Sequence, residues 1–415
     1  MKRYGYGWML FALAVLPACG GSKSESGTET IAAPTGGDPS VIKIVSSLPR
    51  TGSANNQTTS MVNGIKMALE EVGGKVGEFT IVYEDWDDAS PQRANWDPAV
   101  ETANADRAIK DPDVMAYIGT YNSGAAKISM PKLNKAGLLM VSPAVSWPGL
   151  TKPNKGEPNE PMVYRPSGKI RFFRVVPADD LQGPLGAEWA KEMGVHSVFV
   201  LHDKELYGKG IADLFKAHAE KIGIAVAGYE GIDAKASNYK SLVTKIKAQN
   251  VDMVYYGGTT QTNAGQLAKD LVAGGLNVKL MVPDGCFETA FIDSAGAENL
   301  EGRVFITFGG VPARELKGKG KEFYDKYVAK FGKEPEGYAV YGYEAAKVTL
   351  ESIRRAGKKD RLAIIDATAS IKDFEGALGR WSFDENGDTT LTTLSGNTVK
   401  NGKFEFAKLL GVAGQ

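Results

Sequence analysis

The residues able to do chemistry are few in this chain of 415, and their spacing limits what that chemistry can be. There are three histidines (His196, His202, His218) and two cysteines (Cys19, Cys286), and Asp87 with Asp88 could pose as an acid pair. A dinucleotide site needs G-x-G-x-x-G in the first strand-to-helix turn, with an acid about twenty residues on. The stretch "YGKGIAD" supplies Gly208 and Gly210 but puts Asp213 at the third glycine's place, and it is not the first such turn. The first, "SLPRTGSANNQ", holds only Gly52, and no phosphate-gripping G-x-x-x-x-G-K-[ST] occurs. Neither H-E-x-x-H nor a clustered Cys/His spacing is present, so no metal or other cofactor is expected. With three histidines and no G-x-S-x-G elbow, a Ser-His-Asp triad has few ways to form, and a non-enzyme is expected. Asp87 and Asp88 read as solvated loop residues on the rim of a cleft.

A second set of residues fits binding rather than reaction. Ser123 in "TYNSG", Ala144 and Ser146 in "SPAVSW", Tyr207 in "VLHDKELYGKG", Thr259 in "YYGGTTQTN" and Asp284 in "VPDG" all stand where an apolar run gives way to a helix or loop. Hydroxyls and free N–H groups at helix starts suit a carboxylate. A backbone carbonyl and a carboxylate such as Asp284 suit an ammonium. The set therefore fits a small zwitterion, gripped by its acid end from one block of chain and by its amine from another.

The elements that must position these residues are legible as an alternation. From Val41 on, "VIKIVSSLP", "EFTIVYEDWDD", "VMAYIGTYNS" and "LLMVSPAVS" read as strands separated by amphipathic stretches of helical period. After a break at Phe172 to Pro184 the pattern repeats with "SVFVLHD", "AVAGYEGI", "DMVYYGG" and "KLMVPDG". Strands alternating with helices of ten to fifteen residues imply two α/β blocks, each a doubly wound parallel sheet. Such sheets bind ligands at the carboxyl ends of their strands, where all six residues lie. A loop of 22 residues from Trp147 to Gly168, with prolines at 148, 153, 158, 161 and 166, interrupts the first block.

Composition narrows the class further. Lys and Arg total 49 and Asp and Glu total 49, a balance that argues against a nucleic-acid partner. "MKRYGYGWMLFALAVLPAC" has two cations, an apolar run and small residues, the order of a secretory signal. Its ending resembles the lipobox of bacterial lipoproteins, which implies a signal over 1–18, cleavage before Cys19 and lipidation of that sulfur. The stretch over 19–40, rich in Gly, Ser, Thr and Pro, reads as a flexible tether, so the expected place is outside the cytoplasm, on the membrane by the lipid alone. That leaves Cys286 without a partner and more plausibly buried than reactive.

Taken in order, "GPLGAEWA", "VLHDKELYGKG", "NYKSLVTKIKAQNVDMVYYGG" and "FEGALGRWSFDENGD" make the chain resemble the leucine/isoleucine/valine-binding proteins, type I periplasmic solute receptors of ABC importers. The resemblance implies two lobes joined by three crossings, a monomer, delivery of a small amino acid to a membrane permease, and closure around it. It places the crossings near Val176, Phe308 and Arg380, giving a first lobe of 41–176 plus 309–379, a second of 177–308 plus 380–408, and a tail over 409–415. It implies that Ser123 and Ser146 bind the α-carboxylate, that the Ala144 carbonyl and Asp284 bind the α-ammonium, and that Tyr207 and Thr259 line the cleft. Gln57 stands where an aromatic residue is expected, Thr259 where a second tyrosine is, and Asp284 where a glutamate is more usual. Trp86 and Trp147 are expected to rebuild the missing aromatic wall. The same fold used as a sensor or carrier of short amides or other small metabolites is the alternative.

Overall fold

The computed structural model describes Met1 and residues 34–411. The signal, the lipidation expected at Cys19 and nearly all of the tether lie outside the described residues. The remainder forms two lobes, each built on one sheet.

The first sheet has six strands in the order Lys75–Val76, Phe79–Asp87, Val41–Leu48, Val114–Gly119, Leu139–Ser142, Phe172–Arg174. All neighbours are parallel except the short first pair. The second has seven strands, in the order Ala225–Gly231, Ser197–His202, Met253–Gly257, Lys279–Val282, Val304–Gly309, Leu394–Lys400, Lys403–Leu410, with the last two antiparallel. The central strands, Val114–Gly119 and Met253–Gly257, are buried at every residue. That is the consequence of covering a parallel sheet with helices on both faces, and it explains why these strands read as continuous apolar runs.

The helix Asn55–Glu71 packs on Ala339–Ala356, a segment far away in sequence that returns to the first lobe. Two glycines permit the approach. A Cβ on Gly64 would sit 2.3 Å from the Ala339 carbonyl oxygen, and one on Gly342 would sit 2.4 Å from that of Met61. A side chain at either position would force the helices apart.

The chain crosses between the lobes three times. It leaves the first sheet after Arg174 and enters the second lobe's helix Asp179–Glu192, and it returns after Val304–Gly309. The third crossing lies further along than the Arg380 expected from sequence. Gly379–Trp381 pairs with Phe374–Gly376 in a two-stranded hairpin, and the buried Trp381 donates its indole N–H to Glu344 Oε1 of the first lobe at 2.6 Å. Asp388 and Thr389 still hold to Arg174, and the second sheet is joined only at Leu394. Residues 380–389 therefore pack with the first lobe, and Leu409 and Leu410 close a strand instead of starting a tail.

Arg174 is the pivot of these crossings. It is wholly buried, and its Nε and Nη2 bond the two carboxylate oxygens of Asp388 at 2.8 and 3.0 Å. Its Nη1 donates to the Trp147 carbonyl at 2.9 Å, and Asp388 Oδ2 accepts from Thr151 at 3.0 Å. Burial pushes the Asp388 carboxyl up, but the charge and hydrogen bonds of Arg174, with Lys152 and Thr151, together outweigh it and hold the carboxyl below its ordinary value. The Pro-rich loop is thereby ordered: Trp147 Nε1 and Tyr164 Oη both donate to Glu160, at 3.0 and 2.5 Å. Breaking one side of a buried, hydrogen-bonded ion pair costs about 3–5 kcal/mol, because it strands the other charge. We expect Asp388→Ala to lose stability of that size in urea unfolding, and Asp388→Leu with Arg174→Met to recover part of it. Because the folded carboxyl titrates low, the parent keeps the pair's contribution above the ordinary carboxylate range and loses it as pH falls below.

Candidate functional site

A small cavity of about 20 Å³, little more than room for a water, lies between the lobes. All six residues singled out from the sequence for direct contact line it: Ser123, Ala144, Ser146, Tyr207, Thr259 and Asp284. Each is placed by a strand end. Ser123 opens the helix Ser123–Lys135, whose first N–H groups, at Ser123 and Gly124, have no helical carbonyl to bond. After Leu139–Ser142, the Ser142 hydroxyl accepts from Ala144 N at 3.2 Å and Val145 N at 2.9 Å, which turns the chain so that Ala144 and Ser146 follow at the wall. The Ser123 hydroxyl accepts from Trp147 N at 3.3 Å and ties the two strand ends together.

The opposite wall centres on Asp284. Its Oδ1 accepts from Tyr207 Oη and from Gln182 Nε2, both at 2.6 Å, and its Oδ2 accepts from Tyr338 Oη. Tyr207 and Gln182 belong to the second lobe. Tyr338 precedes Ala339–Ala356 in the first, so one carboxylate takes hydrogen bonds from both. Burial pushes the Asp284 carboxyl above its ordinary value, and the three donors counter that only partly. Asp179, fully buried at the first crossing, is pushed well up by its own burial and then by the Asp284 charge; neither of its oxygens has a protein donor. Glu288 is likewise buried without partners, and burial raises it to about 8. Of these three buried acids, Asp284 alone lines the cavity. Ser123, Ser146 and the adjacent helix start supply donors on the other side.

The expected aromatic wall is built otherwise. Gln57 is fully buried behind the cavity, donating to the Phe287 carbonyl at 3.2 Å and accepting from Tyr338 N at 3.0 Å. It fixes the tyrosine that does line the space. Trp86 packs inside the first lobe under the Arg107 guanidinium, 4.1 Å from its ring, and Trp147 is held by Glu160 and lies against Gly210. Neither reaches the cavity. The wall is made by Tyr121 and Tyr338, edge to face at 5.8 Å, with Asn122 and Gly285. Tyr121 adjoins the quoted Ser123, but Tyr338 was hidden at the head of what reads as a plain amphipathic helix.

Of the stretch "VLHDKELYGKG", Tyr207 alone meets this cavity. His202 turns away, its ring 5.0 Å from that of Tyr229, and burial lowers its pKa. Asp88 departs from the expected solvated rim: it is fully buried, with neither oxygen partnered, because the hairpin Ala89–Ser90 with Asn95–Trp96 folds over it. Cys286 is buried. Among the described residues, no group of three or more His, Cys, Asp or Glu is arranged to hold a metal ion, and no helix is long and apolar enough to cross a membrane.

Two lobes with a cavity at their facing strand ends define an architecture, and comparison with known proteins gives it a family. The model of the periplasmic binding protein family matches residues 41–403. The chain belongs to that family. Its members act outside the cytoplasm, and the family is one of solute-binding proteins and not of enzymes. Among curated relatives, an amino acid binding protein of Pseudomonas aeruginosa is 27% identical over 344 residues, covering 82% of this chain and 85% of the relative. The leucine-, isoleucine-, valine-, threonine- and alanine-binding protein of the same organism is 29% identical over 352 residues, covering 84% and 87%. A crystal structure of a leucine-binding protein from Thermotoga maritima superposes with a TM-score of 0.79 at 26% identity, covering 89% of this chain and 99% of that one.

The buried acids of this periplasmic binding protein make its stability depend on pH. A carboxyl with a raised folded pKa contributes stability that is complete below its unfolded value and lost as pH rises through the folded one. For Glu288 that window runs from its ordinary 4.5 to about 8. Thermal melts should show the parent losing stability across that range, and Glu288→Gln should flatten part of the slope. An unchanged slope would contradict the placement of Glu288 as a buried, unpartnered acid.

Proposed function

We propose that this protein is the solute receptor of an ABC importer, binding a small α-amino acid between its lobes and presenting it to a membrane permease. The observation that carries the reading is the polarity of the cavity. Hydroxyls and a helix start stand on one wall, and a buried carboxylate stands across from them. A zwitterion satisfies both, its carboxylate at Ser123 and Ser146 and its ammonium at Asp284 and the Ala144 carbonyl. A purely apolar solute would leave Asp284 charged and unmatched, or force it to stay protonated. The relatives named above, whose descriptions specify amino acids, support the same reading.

The motion follows from the bonds. Asp284 takes donors from both lobes, so an ammonium at this carboxylate stabilises the closed form over the open one. The three crossings around Arg174 and Asp388 are where a hinge would turn. Signal cleavage and lipidation at Cys19 would hold the receptor at the membrane surface, where the permease is. A monomer suffices for this role, since one chain supplies both walls.

Asp284→Ala would leave the ammonium buried and unpaired, at a cost of about 3–5 kcal/mol, or about two to three decades in affinity. Calorimetric titration with the best-binding L-amino acid checks this. An alanine variant that binds as tightly as the parent would remove Asp284 from the ammonium site. Since the ammonium needs the ionised carboxylate, and burial raises the Asp284 pKa, parental affinity should also weaken as pH falls, and less so in Asp284→Asn.

A further inference from the structure

A second, smaller recess of about 10 Å³ adjoins the first, and Asn122, Ser123, Tyr207 and Thr259 line both. Thr259, with a short side chain, forms part of the shared wall beside Tyr207 and Asn122. Polar side chains stand around it: Asp203 and Asn95 face it from opposite lobes. Asp203 is 5% exposed, and each of its oxygens accepts a single bond, from Glu205 N and from Thr262 Oγ1, both at 2.9 Å. A carboxylate oxygen has room for a second donor.

The seam carries unpaired groups as well. Asn122 Nδ2 donates across the lobes to Gln261 Oε1 at 3.4 Å, while Asn122 Oδ1 and Gln261 Nε2 are buried with no partner. Turning both amides over exchanges the atoms but still leaves one acceptor and one donor unused. Buried polar groups in folded proteins are seldom left this way, and each costs free energy until it is matched. A branched aliphatic side chain would match none of them.

Building on the amino-acid reading, we propose that the solute's side chain passes Thr259 into this second space and ends in an N–H donor received by Asn122 and Asp203. The class is an L-amino acid with a terminal carboxamide or ammonium, in preference to the branched aliphatic ones. Burial raises Asp203 to about 7, so near neutrality its carboxyl can meet either group. The two groups differ in which residue they need: a carboxamide leans on the Asn122–Gln261 pair, an ammonium on the Asp203 charge.

Titration calorimetry of the purified protein tests this with matched pairs: L-glutamine against L-methionine, and L-lysine against L-norleucine, with L-leucine, L-isoleucine and L-valine beside them. The expected result is at least about a ten-fold tighter Kd for the member with the donor, since a site that hydrogen-bonds a group rejects analogues lacking it. Asn122→Ala should shrink the glutamine-to-methionine ratio, and Asp203→Asn the lysine-to-norleucine ratio, whichever pair shows the preference. Ratios make the test independent of any general loss of affinity. Equal or tighter binding of the aliphatic members overturns the proposal while leaving the amino-acid reading intact, as does a donor preference that neither variant moves. Failure of every amino acid to bind overturns both.

Discussion

A carboxylate held out of water between two bodies is the constraint on which the rest of this structure turns. Asp284 is buried, and burial alone would drive it to the neutral form. Two tyrosine hydroxyls and a glutamine amide meet it, from both lobes, and still leave its pKa raised. The closed arrangement therefore stores an electrostatic demand that a cation can satisfy. Much of the surrounding sequence serves that demand: Gln57 positions Tyr338 through its backbone, Thr307 positions Gln182, and the turn at Gly285 donates to the Tyr207 hydroxyl.

The demand has meaning only if the lobes can part. Their connections are three crossings of the chain, and the buried Arg174 with Asp388 gathers two of them together with the Pro-rich loop. Lys152 of that loop also reaches Asp180 in the second lobe at 2.7 Å. The loop thus braces the hinge side of the molecule and contributes no residue to the cavity. Rigid lobes with a tied hinge concentrate the motion where a ligand can bias it, as population shift requires: only a differential contact in the closed form moves the equilibrium.

Much of this was legible in the sequence because parallel sheets leave strong traces. Buried strands such as Met253–Gly257 read as apolar runs, and the residues after them fall at the ligand end of the sheet by topology alone. That is why Ser123, Ala144, Ser146, Tyr207, Thr259 and Asp284 meet around one cavity. The misplaced elements are those whose position depends on tertiary partners. Trp86 and Trp147 have the chemistry of a ligand wall but are claimed by Arg107 and Glu160. Tyr338 carries no local signal, since its role comes from a helix returning from far along the chain. The third crossing slipped past Arg380 because the hairpin before it is anchored by Glu344, which no periodicity reveals.

The most direct test of the account compares an α-amino acid with its α-keto acid, which keeps the carboxylate and side chain and removes the ammonium. In thermal melts with each at ~1 mM, a micromolar ligand adds ~4 kcal/mol of native stability, a rise of several degrees. The account predicts such a rise for at least one L-amino acid and none for its keto acid. Equal rises for both, or a rise with the keto acid alone, would contradict the pairing of Asp284 with an ammonium.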